Sequence, residues 1–190
     1  RFTDEINGFI NVFEQKPEVI LTDKHPNYQS TQHGIELSKK WKINRYKVQH
    51  HKAHFASVIG EHNLFEDNNI LGVIWDGTGY GDDGNIWGGE FFKYSSGEIQ
   101  RLTHFEYFNW ISGDKMSKEP RLSLFSLADE SFSEVLDSKF TLEELKVLSS
   151  IKKSNKLKTS SVGRLFDAVA SLLNICDFNS YEGEAAILLE

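Results

Sequence analysis

The sequence is short of cysteine, proline and positive charge. Its single cysteine, Cys176, leaves no thiol to close an internal disulfide, which fits a reducing compartment. Cys176 lies in the apolar run FDAVASLLNIC, where a thiol packs as a small hydrophobe. Lys and Arg number 21 against 28 Asp and Glu, a net charge of −7. That balance argues against broad binding to nucleic-acid phosphates, which needs a basic surface. The stretch from Lys146 to Lys158 is a candidate local basic patch. No run approaches the roughly 18 apolar residues of a membrane span, and no signal peptide is visible. Only three prolines accompany an ordinary globular composition, 39% hydrophobic and 26% charged. These features predict a soluble, cytoplasmic protein with neither nucleic acid nor membrane among its partners. Its 190 residues suffice for one large domain or two small ones.

The ends read as interior sequence. RFTDEINGFINVFEQ begins inside an amphipathic helical pattern without an initiator methionine, and YEGEAAILLE stops in a helical pattern without a capping signal. The expectation is a fragment of a longer protein.

Residues 17–66 alternate between strand and helix: PEVILTD, YQSTQHGIELSKKW, INRYKVQ and HHKAHFASVIGEHNL. A β-α-β-α order favours parallel strands covered by helices. The character changes at Asp67. NNILGVIWDG, NIWGGEFFKY and EIQRLTHFEYF read as three antiparallel strands, with GTGYGDDG and SSG as the turns between them. Residues 113–158 are polar and mostly helical in pattern, and the lysine-rich KVLSSIKKSNKLK is a solvated face or loop. SSVGRLFDAVASLL then reads as a helix capped by serine. This order predicts an α/β fold of the ribonuclease-H-like, duplicated-lobe class of actin, sugar kinases and Hsp70. On that reading residues 1–66 are the back half of the first lobe. Residues 67–190 are the front half of the second, with a helical insert at about 113–158.

Two stretches carry chemistry. VQHHKAHFASVIGEH places three of the seven histidines within five positions at a helix start. His50 and His54 are four apart and share a helical face, which lets two imidazoles converge on one metal. His51 falls on the stripe of Phe55, Val58 and His62 and is expected to pack or to hydrogen-bond behind the site. Capping or surface histidines are the alternative. No glutamate stands between the pair as it does in HExxH, so no general base is assigned.

In ILGVIWDGTGYGDDG a buried strand hands over at Asp76 to Gly77, Thr78, Gly79 and Tyr80. Glycines there let backbone N–H groups approach a phosphate, and an acid at a strand tip suits a metal. A glycine-rich hairpin turn is the equal alternative. The run is neither a Walker loop nor a dinucleotide-binding loop. Taken together, His50, His54 and Asp76 offer nitrogen, nitrogen and oxygen beside a glycine loop that could hold a nucleotide. That set suits a mononuclear divalent metal, zinc or iron, and metal-assisted nucleotide chemistry.

VQHHKAHFASVIGEH, GVIWDGTGYGDDGNIWGGEF and SSVGRLFDAVASLLNICDFNSYEGEAAILLE closely resemble the C-terminal region of the HypF family, the carbamoyltransferases of hydrogenase maturation. The resemblance runs from about residue 17 onward. It implies an ATP-dependent enzyme that turns carbamoyl phosphate into carbamoyl-adenylate. The carbamoyl group then passes to the C-terminal cysteine of the partner HypE, on the way to the cyanide ligands of the [NiFe]-hydrogenase iron. The region is similar to the tRNA threonylcarbamoyl transferase TsaD and is implied to bind the adenylate.

By position, His50, His54 and Asp76 match the family's metal ligands, and Gly77–Tyr80 its phosphate-contacting loop. Asp167 and Gly183 match nucleotide-contacting positions of the related transferase. Gly163, Phe166, Ala170 and Leu173 lie on one helical stripe, which is expected to pack. Asp167 is then expected at the edge of that stripe, with its carboxylate in a cleft opposite the glycine loop. The chain departs from the family at Lys52, where a third consecutive histidine is usual, and at Glu119–Leu122, where the family's tryptophan is missing. Further metal and nucleotide elements are expected after Glu190, and acylphosphatase, zinc-finger and adenylate-forming domains before Arg1. The isolated chain is therefore expected to be inactive. Two other readings are an O-carbamoyltransferase of the antibiotic or nodulation type and a non-catalytic nucleotide-binding fragment. GYGDDGNIWGGEF favours HypF over the first of these.

Overall fold

The structure is a computed structural model that describes residues 2–190. It is an α/β fold of two compact units, residues 1–50 and 51–190. The first unit holds α1 (Phe2–Phe13), β1 (Val19–Asp23), α2 (Gln29–Trp41) and β2 (Asn44–Val48). β1 and β2 pair in parallel, from Val19 opposite Asn44 to Asp23 opposite Val48. Parallel neighbours need a crossover, and α2 supplies it. α2 ends where Lys42 turns left-handed, at a φ of 56°. Its buried Thr31 donates a hydroxyl hydrogen bond of 3.2 Å to the Asp23 carbonyl, which ties the helix to the end of β1.

The second unit follows from α3 (His50–Glu61), whose first residue closes the first unit. Its strands are β3 (Ile70–Tyr80), β4 (Ile86–Ser95), β5 (Glu98–His104), β6 (Phe108–Asn109) and β7 (Lys158–Thr159). They form one sheet in the order β3-β4-β7-β6, with β5 also paired to β4. The three expected antiparallel strands are present. The sheet is nevertheless mixed, because β7 adds parallel to β4 at Ile86 and Thr159. A two-residue strand carries no legible alternation, so periodicity could not reveal it. The compact division comes before the change of sequence character at Asp67 for a packing reason. Phe55 and Ile59 of α3 are buried in one cluster with Trp87, Phe92 and Tyr94 of β4.

Between β6 and β7 run α4 (Lys115–Lys118), α5 (Pro120–Leu127), a 3-10 turn, α6 (Ser133–Lys139) and α7 (Leu142–Ser154). The expected helical insert is there, but it is not simply polar. Trp110, Ile111, Met116, Leu122, Phe125, Phe140 and Leu148 form a core cluster with Phe108, and Ile86 and Leu165 pack against it. α5 is buried from Pro120 to Ser126. The lysines of α7 behave as read, since Lys146 and Lys153 are exposed. Lys152 differs by capping the Phe125 carbonyl at 3.2 Å. The chain closes with α8 (Val162–Leu172) and α9 (Glu184–Leu189). Among the described residues no helix is long and apolar enough to cross a membrane.

Candidate functional site

The site is built at a defect in the β3–β4 ladder. Trp75 pairs with Gly89 and Gly79 with Trp87. Asp76, Gly77 and Thr78 therefore stand opposite Gly88 alone. Such a bulge bends a strand and re-aims its side chains. Gly77–Tyr80 is thus the bulged end of β3 and not the free turn expected from its glycines. The reversal itself comes later, where Gly84 has a φ of 81°.

The bulge is held from behind by the start of α8. Ser161 donates its hydroxyl to the Gly77 carbonyl at 2.5 Å and also caps the Arg164 N–H. Two glycines make room for this contact. A Cβ on Gly163 would lie 3.1 Å from the Gly77 Cα, and one on Gly88 would lie 2.6 Å from the Asp76 carbonyl oxygen. Asp76 folds one carboxylate oxygen onto the Gly77 N–H at 2.6 Å. Its other oxygen, Oδ2, lies 4.0 Å from His54 Nε2 and 3.7 Å from His51 Nε2.

The histidines come from the first turn and a half of α3. His50, His54 and Asp76 each offer a ligand atom, and these atoms lie within 4.8 Å of one another. Ligand atoms around a tetrahedral ion stand about 3.4 Å apart, because the bonds are about 2.1 Å long. A small closure suffices, and two imidazoles with a carboxylate suit a first-row divalent ion. The residues fit a metal. His51 is 0% exposed, tilted against the Trp87 ring with its centroid 6.2 Å away. It sits behind the Asp76 carboxylate, in the supporting position expected of it. Lys52, which replaces the third histidine, reaches the hairpin at Asp82, 3.7 Å away.

Of the glycine run, Thr78 and Tyr80 are exposed and Gly79 is buried. Asp167 requires a correction. It is 1% exposed and ion-paired to Arg164 at 2.7 Å, so its carboxylate does not stand in a cleft. Burial pushes its carboxyl up, against the opposing pull of the Arg164 charge and of hydrogen bonds from Asn179 and Arg164. The stripe expected to pack is also overturned in part. Phe166 and Leu173 are exposed, while Arg164, Asp167, Ala168 and Ser171 are buried. The first turn of α8, at Ser161 and Gly163, is what meets the glycine run. Gly183 adopts a φ of 81° at the start of α9.

Sequence reasoning passed over a buried network beneath the hairpin. Glu90 is 0% exposed and accepts from the Gly88 and Gly89 N–H groups, the Ser160 hydroxyl and Arg101 Nε. Arg101 lies over the Trp87 ring, 3.9 Å from its centroid, and donates to Tyr107 at 2.9 Å. The available signal was one acid inside the otherwise uncharged run IWGGEFF. A lone carboxylate in a buried strand has to find a cation and donors. Asp23 was passed over as well. Its Oδ2 lies 3.2 Å from His50 Nδ1.

Comparison with known proteins places this geometry in a family. A model described as the HypF Kae1-like domain matches residues 1–61. A second, the carbamoyltransferase Kae1-like domain, second subdomain, matches residues 72–190. The probable carbamoyltransferase HypF of Methanocaldococcus jannaschii is 39% identical over 98% of this chain and 25% of its own. The carbamoyltransferase HypF of Synechocystis is 33% identical over 100% of this chain and 27% of its own. A crystal structure of full-length HypF in the phosphate- and nucleotide-bound form superposes with a TM-score of 0.86 at 34% identity, covering 98% of this chain and 25% of that one. The chain spans about a quarter of the length of these relatives.

Proposed function

The chain belongs to the HypF carbamoyltransferase family, and from that premise we propose that it holds a carbamoyl-adenylate and passes the carbamoyl group to the C-terminal cysteine of a HypE-type partner in hydrogenase maturation. In that step the cysteine sulfur attacks the carbamoyl carbon, the carbon–oxygen bond to the phosphate breaks, and AMP leaves. The adenylate is made from ATP and carbamoyl phosphate by other domains of the full-length protein, so the chain alone is inactive. The element order supports a ribonuclease-H-like pair of lobes, with residues 1–66 in the first and 67–190 in the second.

The observation that carries this reading is the convergence of His50, His54 and Asp76 at the bulge that begins the glycine run. Those three residues hold the metal, zinc or iron. When bound, the ion supplies Lewis-acid polarisation of an oxygen on the carbamoyl phosphate group. Gly77–Tyr80 presents backbone to the phosphate, with Ser161 fixing its shape. The family resemblance assigns Gly183 to the nucleotide side of the site, while Asp167, paired with Arg164 inside the fold, has a supporting role and does not touch the nucleotide. The nucleotide-bound state of the full-length HypF structure supports nucleotide as the ligand class.

The test is elemental analysis of the full-length protein, wild type beside His54→Ala, together with carbamoyl transfer to the partner cysteine. The expected result is one equivalent of metal in the wild type beyond the zinc of the zinc-finger domains, lost together with transfer in the variant. Equal metal content in both rejects the assignment.

A further inference from the structure

We propose that Asp23 is the positioning residue of His50, fixing the imidazole tautomer that presents Nε2 to the metal. The inference rests on the metal reading above and names a residue outside its ligand set.

Asp23 is rigidly placed. It is the last residue of β1, opposite Val48, and the Lys24 N–H donates to the Val48 carbonyl at 2.9 Å. Its own carbonyl receives the Thr31 hydroxyl at 3.2 Å. One carboxylate oxygen, Oδ1, accepts the His25 N–H at 2.7 Å. That leaves Oδ2 directed at His50 Nδ1, 3.2 Å away, two residues beyond the end of β2. The strand pairing therefore delivers the carboxylate to the first residue of α3.

Chemistry fixes the direction of that bond. An ionised carboxylate only accepts, so the proton lies on Nδ1. A neutral imidazole with Nδ1 protonated has its one lone pair on Nε2, and a metal binds a lone pair. A carboxylate on the far nitrogen also makes the ring a more basic ligand, and losing such a partner typically costs about 10–100-fold in metal affinity. Both side chains are mostly buried, at 18% and 32% exposure for Asp23 and His50, so solvent competes weakly for the bond. A plain turn-forming aspartate would need only the His25 N–H. The second oxygen on His50 is what separates the two roles.

The test uses the full-length protein with its zinc-finger sites already loaded, with two readouts. Long-range 1H–15N correlation spectra give the tautomer of His50 while this site is metal-free, and Zn2+ titration followed by calorimetry gives affinity. Wild type should show the Nδ1–H tautomer and bind Zn2+. Asp23→Ala should lose the tautomer preference and bind Zn2+ about 10–100-fold more weakly. Asp23→Asn keeps an acceptor oxygen and should retain the tautomer while binding at intermediate affinity. If Asp23→Ala does not fold, which circular dichroism reports, Asp23→Asn decides, and wild-type affinity there overturns the proposal. Wild-type Zn2+ affinity or an unchanged tautomer in folded Asp23→Ala overturns it too. A wild-type full-length protein that takes up no Zn2+ at this site overturns the metal reading, and the inference with it.

Discussion

Asp83 stands at the turn between β3 and β4, and four groups address its carboxylate. Oδ1 accepts the Asn85 N–H at 3.0 Å and the Trp87 indole at 2.9 Å. Oδ2 accepts the Tyr107 hydroxyl at 2.6 Å and Arg101 at 3.3 Å. Burial pushes this carboxyl up, but the bonds from Tyr107, Asn85 and Trp87 and the Arg101 charge outweigh it and bring it from 3.8 down to about 2. Burial and the bond to Asp83 push Tyr107 up to about 12, against the pull of Arg101. A carboxylate whose folded pKa lies below its unfolded one stabilises the fold fully above the unfolded value. That stabilisation fades as the pH falls from about 4 to about 2. Asp83→Asn should therefore lower stability at neutral pH, by about 1 kcal/mol, because a side chain 36% exposed is screened by water. Thermal midpoints of the two proteins should converge as the pH approaches the folded pKa. A constant gap across that range would assign the loss to packing instead.

At the scale of elements, the bulge in β3 is what turns a strand and a helix into a site. Gly88 is the only residue facing the three bulged ones, and a Cβ there would meet backbone on both sides, 2.6 Å from the Asp76 carbonyl oxygen and 2.9 Å from the Ser161 Cα. Backbone cannot swing aside as a side chain does. Gly88→Ala should therefore cost about 1–3 kcal/mol, the usual range for forcing atoms into packed space, and should weaken metal binding by moving Asp76. Chemical denaturation and zinc titration of the variant check both, and wild-type values in each would show that the bulge is soft.

The sequence showed the strands and helices here but not the bulge. Alternation and helical spacing marked β1 through β5, α2, α3 and α8, because each buries one face at its own period. A bulge breaks period without changing composition, so Gly77–Tyr80 read as a turn. In α8 the apolar spacing favoured Phe166 and Leu173, whereas the buried face carries Arg164, Asp167 and Ser171, satisfied by ion pair and hydrogen bond. His50, His54 and Asp76 were legible because one helix and one strand end are local facts. Asp23 was not, because strand pairing alone brings residue 23 beside residue 50.

Across the whole molecule, burial is unevenly shared between the two units. Every buried hydrophobic side chain among the described residues lies at Phe55 or later, most of them in clusters around Phe92, Phe125 and Ala170. Residues 2–50 bury chiefly Thr31, Gly34 and Gln49, around a two-stranded sheet. Two strands with one covering helix sit at the margin of independent stability, and apolar burial contributes only about 25 cal/mol per Å². Local opening free energy follows buried apolar contact, so the first unit should open well below the global unfolding free energy. The expected result is hydrogen exchange of β1, α2 and β2 at least about tenfold faster than that of β3 and β4, a gap of about 1.4 kcal/mol. Limited proteolysis should cut within residues 14–50 and leave a resistant product beginning near α3. Zinc should slow exchange at Asp23 and Val48 in particular, because fixing His50 also fixes the strand end that holds it. Uniform exchange across both units would show that β1 and β2 draw their stability from the same cooperative core as β3 and β4.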